Sequence, residues 1–263
     1  MLVRSITALS LFILAVWFIF LENYNFLISL VVILALIATF ELYQMLKTAG
    51  YKPNLFLIIG GVGSAFLSLY FVNYHPYLVA WPIVILVGLI ICLLGHELFR
   101  RKLFFLENGV ILSIRLIFFF ALISYVIFIR QLDNGAVNLF FIGSLVAGSD
   151  TFAYLGGKFF GKRKLTSISP KKTVEGAVIS FALVVIFGGI WSYIFHLPMI
   201  KYVVAAVLVS IFAQMGDLHE SLTKRCLNTK DSSHILPGHG GVYDRIDSYF
   251  FVFPILYYYL VFI

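Results

Sequence analysis

Hydrophobic positions in this chain fall into long unbroken runs rather than stripes. Runs of about 20 apolar residues follow one another with no period-2 alternation. A membrane-crossing helix needs ~20 residues and a barrel strand only ~9–11, so the pattern predicts helices. Nine spans are predicted, at about 5–22, 26–46, 54–74, 76–98, 108–129, 135–157, 175–196, 201–222 and 243–263. Breakers mark the joints: Asn23 and Asn25, Gly50 with Pro53, His75-Pro76, Asn108-Gly109, Asn134-Gly135 and Leu197-Pro198. The first run follows Arg4, as in a signal peptide. It lacks a small-residue cleavage site and more spans follow, so it is expected to stay as a helix. The expected fold is all-α, a polytopic helical bundle in the membrane, with residues 1–263 forming one domain.

Composition sharpens this picture. Charged residues make up 12% of the chain and hydrophobic ones 62%. Soluble domains carry roughly 25% charge, so this chain needs the bilayer as solvent. With a cytoplasmic N-terminus, nearly all loop Lys and Arg fall inside, and only Arg130 and Lys201 fall outside. The net charge of +7 is therefore gathered on one face. Topology alone accounts for many of these charges; an anionic lipid or nucleotide is the added expectation. The cysteines, Cys92 and Cys226, have no metal-type spacing and are expected to be inert thiols.

Polar residues concentrate in two cytoplasmic loops, about 158–174 and 223–242, and in the spans beside them. Ser210, Gln214, Asp217, Ser221 and Lys224 are spaced 4, 3, 4 and 3, which puts them on one helical face. A carboxylate near hydrocarbon is costly, so Asp217 calls for a cation or a metal, or else sits in headgroup water. Asp150 is followed at helical spacing by Tyr154 and Lys158. In the S-P-K-K-T-V-E-G stretch, Ser169 and Pro170 look like a helix cap and first residue. Lys171 and Lys172 would then make an anion site at that helix start, with Glu175 at the beginning of the span.

The stretch from Lys230 to Ser248 is polar, charged and glycine-rich. His239-Gly240-Gly241 would let backbone N–H groups approach a ligand, or serve simply as a tight turn. Asp244, Arg245 and Asp247 open the last span, where acids also suit the helix dipole. Asp217 and Asp244 are expected at the cytoplasmic ends of sequential antiparallel spans. Together they would suit Mg²⁺, a hard cation that prefers oxygen ligands and substrate phosphates. Metal with Lys224, Arg225 and Lys230 at a membrane surface is equipment for phosphoryl or nucleotidyl transfer.

The residues Ser221-Leu-Thr-Lys224-Arg225, then Lys230-Asp231, then Leu236-Pro237-Gly238-His239-Gly240-Gly241-Val-Tyr-Asp244-Arg245-Ile-Asp247 closely resemble the signature of the CDP-diacylglycerol synthases, also called phosphatidate cytidylyltransferases. Thr223 stands where that family usually has an aliphatic residue, with a packing effect expected at most. The resemblance extends back through Gln214-Met-Gly216-Asp217, the S-P-K-K-T-V-E-G stretch and the Asp150 to Gly161 stretch; the N-terminal half matches in hydropathy only.

The resemblance implies an enzyme that joins CTP to phosphatidate, giving CDP-diacylglycerol and pyrophosphate. It also implies Mg²⁺, as two ions, with Asp217 and Asp244 as metal ligands. Lys224, Arg225 and Arg245 would stabilise developing charge, and Lys171, Lys172, His239, Gly240 and Gly241 would hold phosphates. Asp150, Ser169, Thr173, Glu175, Ser221, Lys230, Asp231 and Asp247 would complete the substrate contacts. The implied setting is a homodimer in a bacterial inner membrane, with the site facing the cytoplasm and no nucleic-acid partner. Residues 1–134 would supply lipid-facing or dimer helices, and 135–263 the catalytic part. A CTP-dependent polyprenol or phytol kinase is the nearest alternative. A transporter would explain Asp150, Arg115 and Asp217 as an ion path, but not the gathering of charge on loops.

Overall fold

The computed structural model describes residues 10, 13–20, 24–56, 58, 59, 116, 121–236 and 240–263. Seven helices are named here: α1 (Tyr24–Thr48), α2 (Tyr125–Gln131), α3 (Gly135–Phe160), α4 (Val174–Ile194), α5 (Met199–Cys226), α6 (Tyr243–Ile246) and α7 (Tyr249–Phe262). Among the described residues there are no strands, only two isolated bridges, Lys164 with Thr173 and Leu236 with Gly240. Four helical segments are long and apolar enough to cross a bilayer: Phe26–Thr48, Gly135–Phe160, Val174–Ile194 and Met199–Cys226. They match the second, sixth, seventh and eighth expected spans. This is an integral membrane protein. Residues 13–20 of the first expected span are helical. The fourth span, and nearly all of the third and most of the fifth, lie outside the described residues.

One boundary and one cap differ from expectation. The ninth span was drawn as one helix over 243–263, but the chain is helical over Tyr243–Ile246 and again over Tyr249–Phe262. The cause is local: Asp247 Oδ1 accepts from the N–H of Ser248 at 2.7 Å, capturing a donor from the backbone ladder. The seventh span begins at Val174, within a residue of expectation, but the helix cap expected at Ser169-Pro170 is not used. Its cap is Thr173, whose hydroxyl accepts from Gly176 N–H at 3.1 Å. Ser169 instead closes a turn, its carbonyl accepting from Lys172 N–H at 3.0 Å.

The chain divides into two compact units. One comprises Met1–Ile127 and Thr223–Ile246, the other Phe128–Leu222 and Asp247–Ile263. In the second unit, α4 presents two faces. Gly176, Ser180, Val184 and Gly188 recur every fourth residue and are buried, while Val178, Ile186 and Ile190 are exposed, as lipid-facing side chains are. Small residues let spans approach closely. A Cβ on Gly176 would lie 2.5 Å from the Ala153 carbonyl of α3, and Gly188 packs on Ala206 of α5. Ser180 Oγ donates to the Ser149 carbonyl at 2.8 Å, and Tyr202 OH donates to Asn138 Oδ1 at 2.6 Å. The far end of α5 is tied to α7, with Tyr259 OH donating to the Lys201 carbonyl at 2.9 Å.

In the first unit the described core is α1 packed with α6. Leu42 and Leu46 of α1 and Tyr243 of α6 are fully buried.

Candidate functional site

In the second unit, the α3–α4 connection is a small closed loop. Leu165 N–H donates to the Lys172 carbonyl at 2.8 Å and Val174 N–H to the Arg163 carbonyl at 3.0 Å. Glu175 pins the other side, accepting from the N–H groups of Lys162 at 3.0 Å and Arg163 at 3.1 Å. Arg163 Nε also donates to it at 2.9 Å. Glu175 was expected to touch substrate; here its carboxylate is taken up in shaping the loop.

That loop delivers its cations to a cleft of about 390 Å³. Asp150, Tyr154 and Lys158 of α3 line one side, and Gln214 and Asp217 of α5 another. Ser169, Lys171, Lys172 and Thr173 of the loop complete it. Six sequence-predicted residues thus converge: Asp150, Ser169, Lys171, Lys172, Thr173 and Asp217. Lys172 Nζ donates directly to Asp217 Oδ2.

Asp217 has two further acidic neighbours. Oxygens of Asp217, Glu220 and Asp247 all lie within 4.8 Å of one another. Glu220 is 4% exposed. It follows Asp217 by three positions, so both project from one face of α5. Asp247 arrives on the turn between α6 and α7. A Cβ at Gly216 would lie 2.7 Å from both Asp247 O and Ser248 Cα, so only glycine lets this turn rest on α5. Charge on Asp247 is opposed by the negative charge of Asp217 so close by, a cost that a bound cation would offset. Three crowded carboxylates beside a lysine-lined cleft suit a hard divalent cation, which takes oxygen ligands and shares them with phosphate. The donor set therefore fits Mg²⁺. Glu220 was missed in the sequence, although its spacing from Asp217 was a readable signal.

The first unit holds the other predicted cluster. Asp244 accepts from Ser232 N–H and Gly241 N–H, each at 3.1 Å to Oδ2, and Lys224 Nζ lies 3.6 Å from Oδ1. The Gly241 N–H offered to a phosphate in the sequence is thus occupied by Asp244. Gly240 takes φ +80°, and its carbonyl accepts from Leu236 N–H at 2.9 Å. His239 lies outside the described residues. Arg225, Lys230, Asp231 and Arg245 are solvent-exposed, while Ser221, in the second unit, is half-buried on α5. Asp217 and Asp244, expected to share a metal, belong to different units, each with its own neighbours.

Glu41 of α1 was not foreseen as a site residue. Its oxygens accept from Val242 N–H at 3.1 Å, Tyr243 N–H at 2.7 Å and Ser232 Oγ at 3.3 Å, and from Ser233 Oγ. Arg115, which the transporter alternative invoked, lies outside the described residues.

The family model described as "Cytidylyltransferase family" matches residues 2–263. Among curated proteins, the chain is 37% identical over 175 residues to a phosphatidate cytidylyltransferase of Bacillus subtilis, covering 65% of each chain. It is 42% identical over 115 residues to one from Synechocystis, covering 43% of this chain and 39% of that one. It is 42% identical over 124 residues to one from Helicobacter pylori, covering 45% of each. In each case the chain spans less than two thirds of the relative's length.

Proposed function

Because the chain belongs to the cytidylyltransferase family, we propose that it transfers CMP from CTP to phosphatidate, releasing pyrophosphate and CDP-diacylglycerol. The observation that carries this is the cleft itself, where Lys158, Lys171 and Lys172 face Asp217 and Asp150 between apolar spans. A lipid phosphate can reach such a cleft from the bilayer and a nucleotide from water. One phosphate oxygen of the lipid attacks the α-phosphorus of CTP, and the bond from that phosphorus to the β-bridging oxygen breaks. The lysines offset the charge of two phosphorylated substrates brought together. Lys224, Arg225 and Arg245 are proposed, on the family resemblance, to stabilise the charge that develops. No side-chain nucleophile is required, because the lipid supplies it.

Mg²⁺ is the proposed cofactor, with Asp217 and Asp244 as ligands on the family resemblance and Glu220 and Asp247 added on the geometry of the carboxylate cluster. Bound there, it would neutralise charge on the transferring phosphates. The proposed setting is the bacterial inner membrane, with the basic loops cytoplasmic by the positive-inside rule and a homodimer by family resemblance.

The test is product analysis of the purified chain in micelles with CTP, phosphatidate and Mg²⁺. Pyrophosphate release that requires both substrates, with CDP-diacylglycerol formed in equal amount, is the expected result. CDP release without pyrophosphate when a polyprenol or phytol replaces phosphatidate would mark a CTP-dependent lipid kinase, and no nucleotide turnover with either kind of lipid would move transport forward.

A further inference from the structure

Glu41 lies in an apolar span, in the half of the chain that carries none of the motif pattern, yet it is 2% exposed and its carboxylate accepts four hydrogen bonds. The donors come from both arms of the polar loop: Ser232 and Ser233 on one side, Val242 and Tyr243 on the other. Ser232 links this carboxylate to Asp244, because its hydroxyl donates to Glu41 and its N–H to Asp244. Successive N–H groups at the turn form a nest of the kind that usually binds an external anion. In this chain Gly241 gives its N–H to Asp244, and Val242 and Tyr243 give theirs to Glu41. Gly241 fits the same account. A Cβ there would collide with Ser232 Oγ and lie 2.7 Å from both Glu41 oxygens, so the glycine makes room for the serine and for the carboxylate it donates to.

We propose that Glu41 is a positioning residue for the 230–244 loop, an internal anion that clamps both loop arms onto α1 and so holds Asp244 in place. For catalysis this rests on the transferase reading above; as a statement about the loop it does not. A glutamine at 41 keeps one acceptor oxygen but turns an amide donor toward a backbone donor, so it can replace only part of the clamp.

The test compares hydrogen–deuterium exchange of the full chain in nanodiscs for wild type, Glu41→Gln and Glu41→Ala. Peptides covering 230–246 are read against those covering 175–222. Exchange in the loop is expected to rise about tenfold in Glu41→Gln and further in Glu41→Ala, with 175–222 unchanged. In the pyrophosphate assay, the Mg²⁺ concentration for half-maximal rate should rise about tenfold in Glu41→Gln while KM for phosphatidate stays constant. Unchanged loop protection in Glu41→Ala would overturn the proposal. So would exchange rising equally in 175–222, which would make Glu41 a support of the bundle rather than of the loop. If both Glu41 variants fail to fold, the Ser232→Ala/Ser233→Ala double variant decides, since it removes two donors and spares the two backbone bonds. Faster loop exchange there supports the clamp and unchanged exchange overturns it. If wild type makes no pyrophosphate, the transferase reading falls by itself, and the exchange comparison still decides the role of Glu41.

Discussion

Two acidic clusters in this protein are built in opposite ways. At Glu41 and Asp244 the carboxylates are met by donors: backbone N–H groups of Ser232, Gly241, Val242 and Tyr243, two serine hydroxyls, and nearby Lys224. At Asp217, Glu220 and Asp247 the carboxylates face one another, with Lys172 on Asp217. A carboxylate surrounded by fixed donors gains from its neighbours and organises them. Carboxylates surrounded by like charge pay for their proximity until a cation arrives. Glu41 therefore reads as architecture, holding the loop that carries the proposed ligand Asp244, and the second cluster as a binding site.

The largest expected effect follows from the crowded cluster. Asp217→Asn keeps the side chain's shape and an oxygen for Lys172 but removes a charge from the proposed metal site. Pyrophosphate release should fall about a hundredfold to a thousandfold, the range expected when one main electrostatic stabiliser of the transition state is lost. Loop exchange at 230–246 should be unchanged. A variant that retained a tenth of the wild-type rate would break the distinction between the clusters.

Metal removal sharpens the same contrast. Mg²⁺ at about a hundred times its dissociation constant should stabilise the wild type by ~2.7 kcal/mol, measured as a rise in Tm over an EDTA-treated sample. Glu220→Gln should abolish most of that rise and raise the Tm of the EDTA sample, because it relieves repulsion among Asp217, Glu220 and Asp247. Glu41→Gln should do the reverse, lowering Tm with or without Mg²⁺. If Glu220→Gln instead lowers the metal-free Tm, its carboxylate is structural and the contrast fails.

These pairings explain which features could be read in advance. The spans over 26–46, 135–157, 175–196 and 201–222 were legible because run length alone decides what crosses hydrocarbon. The chemistry of Asp150, Lys171, Lys172 and Asp217 was legible in residue type and helical spacing, and one cleft gathers them. The cap of α4 was misjudged because Ser169-Pro170 has good local cap chemistry. A bridge from Lys164 to Thr173, locked by Glu175, makes Thr173 the cap instead. Glu220 was overlooked although its spacing showed its face. Glu41 was out of reach for another reason: its partner Val242 lies 201 residues away, and the donor is a backbone amide with no sequence identity to read.

A smaller effect is expected where a satisfied carboxylate lies at the surface. Glu175 accepts from Lys162 and Arg163, but the Arg163 side chain is 75% exposed and water competes for the pair. Glu175→Gln should lower kcat/KM for CTP about threefold, through looser placement of Lys171 and Lys172, and leave Tm unchanged. A hundredfold loss would mean that Glu175 touches substrate, as first expected from the motif.

The smallest test removes a polar contact with no charge at all. Ser149 and Ser180 face each other between α3 and α4, with hydroxyls 3.1 Å apart and Ser180 Oγ also donating to the Ser149 carbonyl. Side-chain hydrogen bonds between spans average only ~0.6 kcal/mol, because the separated helices find other partners in the membrane. Ser149→Ala keeps the backbone bond and the small side chain that lets the helices approach, so it should cost no more than about that amount. Ser180→Ala removes both bonds and should cost about twice as much. Ser149 also lines the cleft, one position before Asp150. Pyrophosphate assays at saturating and limiting phosphatidate separate the two roles. A packing role predicts an equal, slight fall at both, whereas a loss confined to limiting phosphatidate would place Ser149 against the lipid headgroup and extend the binding cluster along α3.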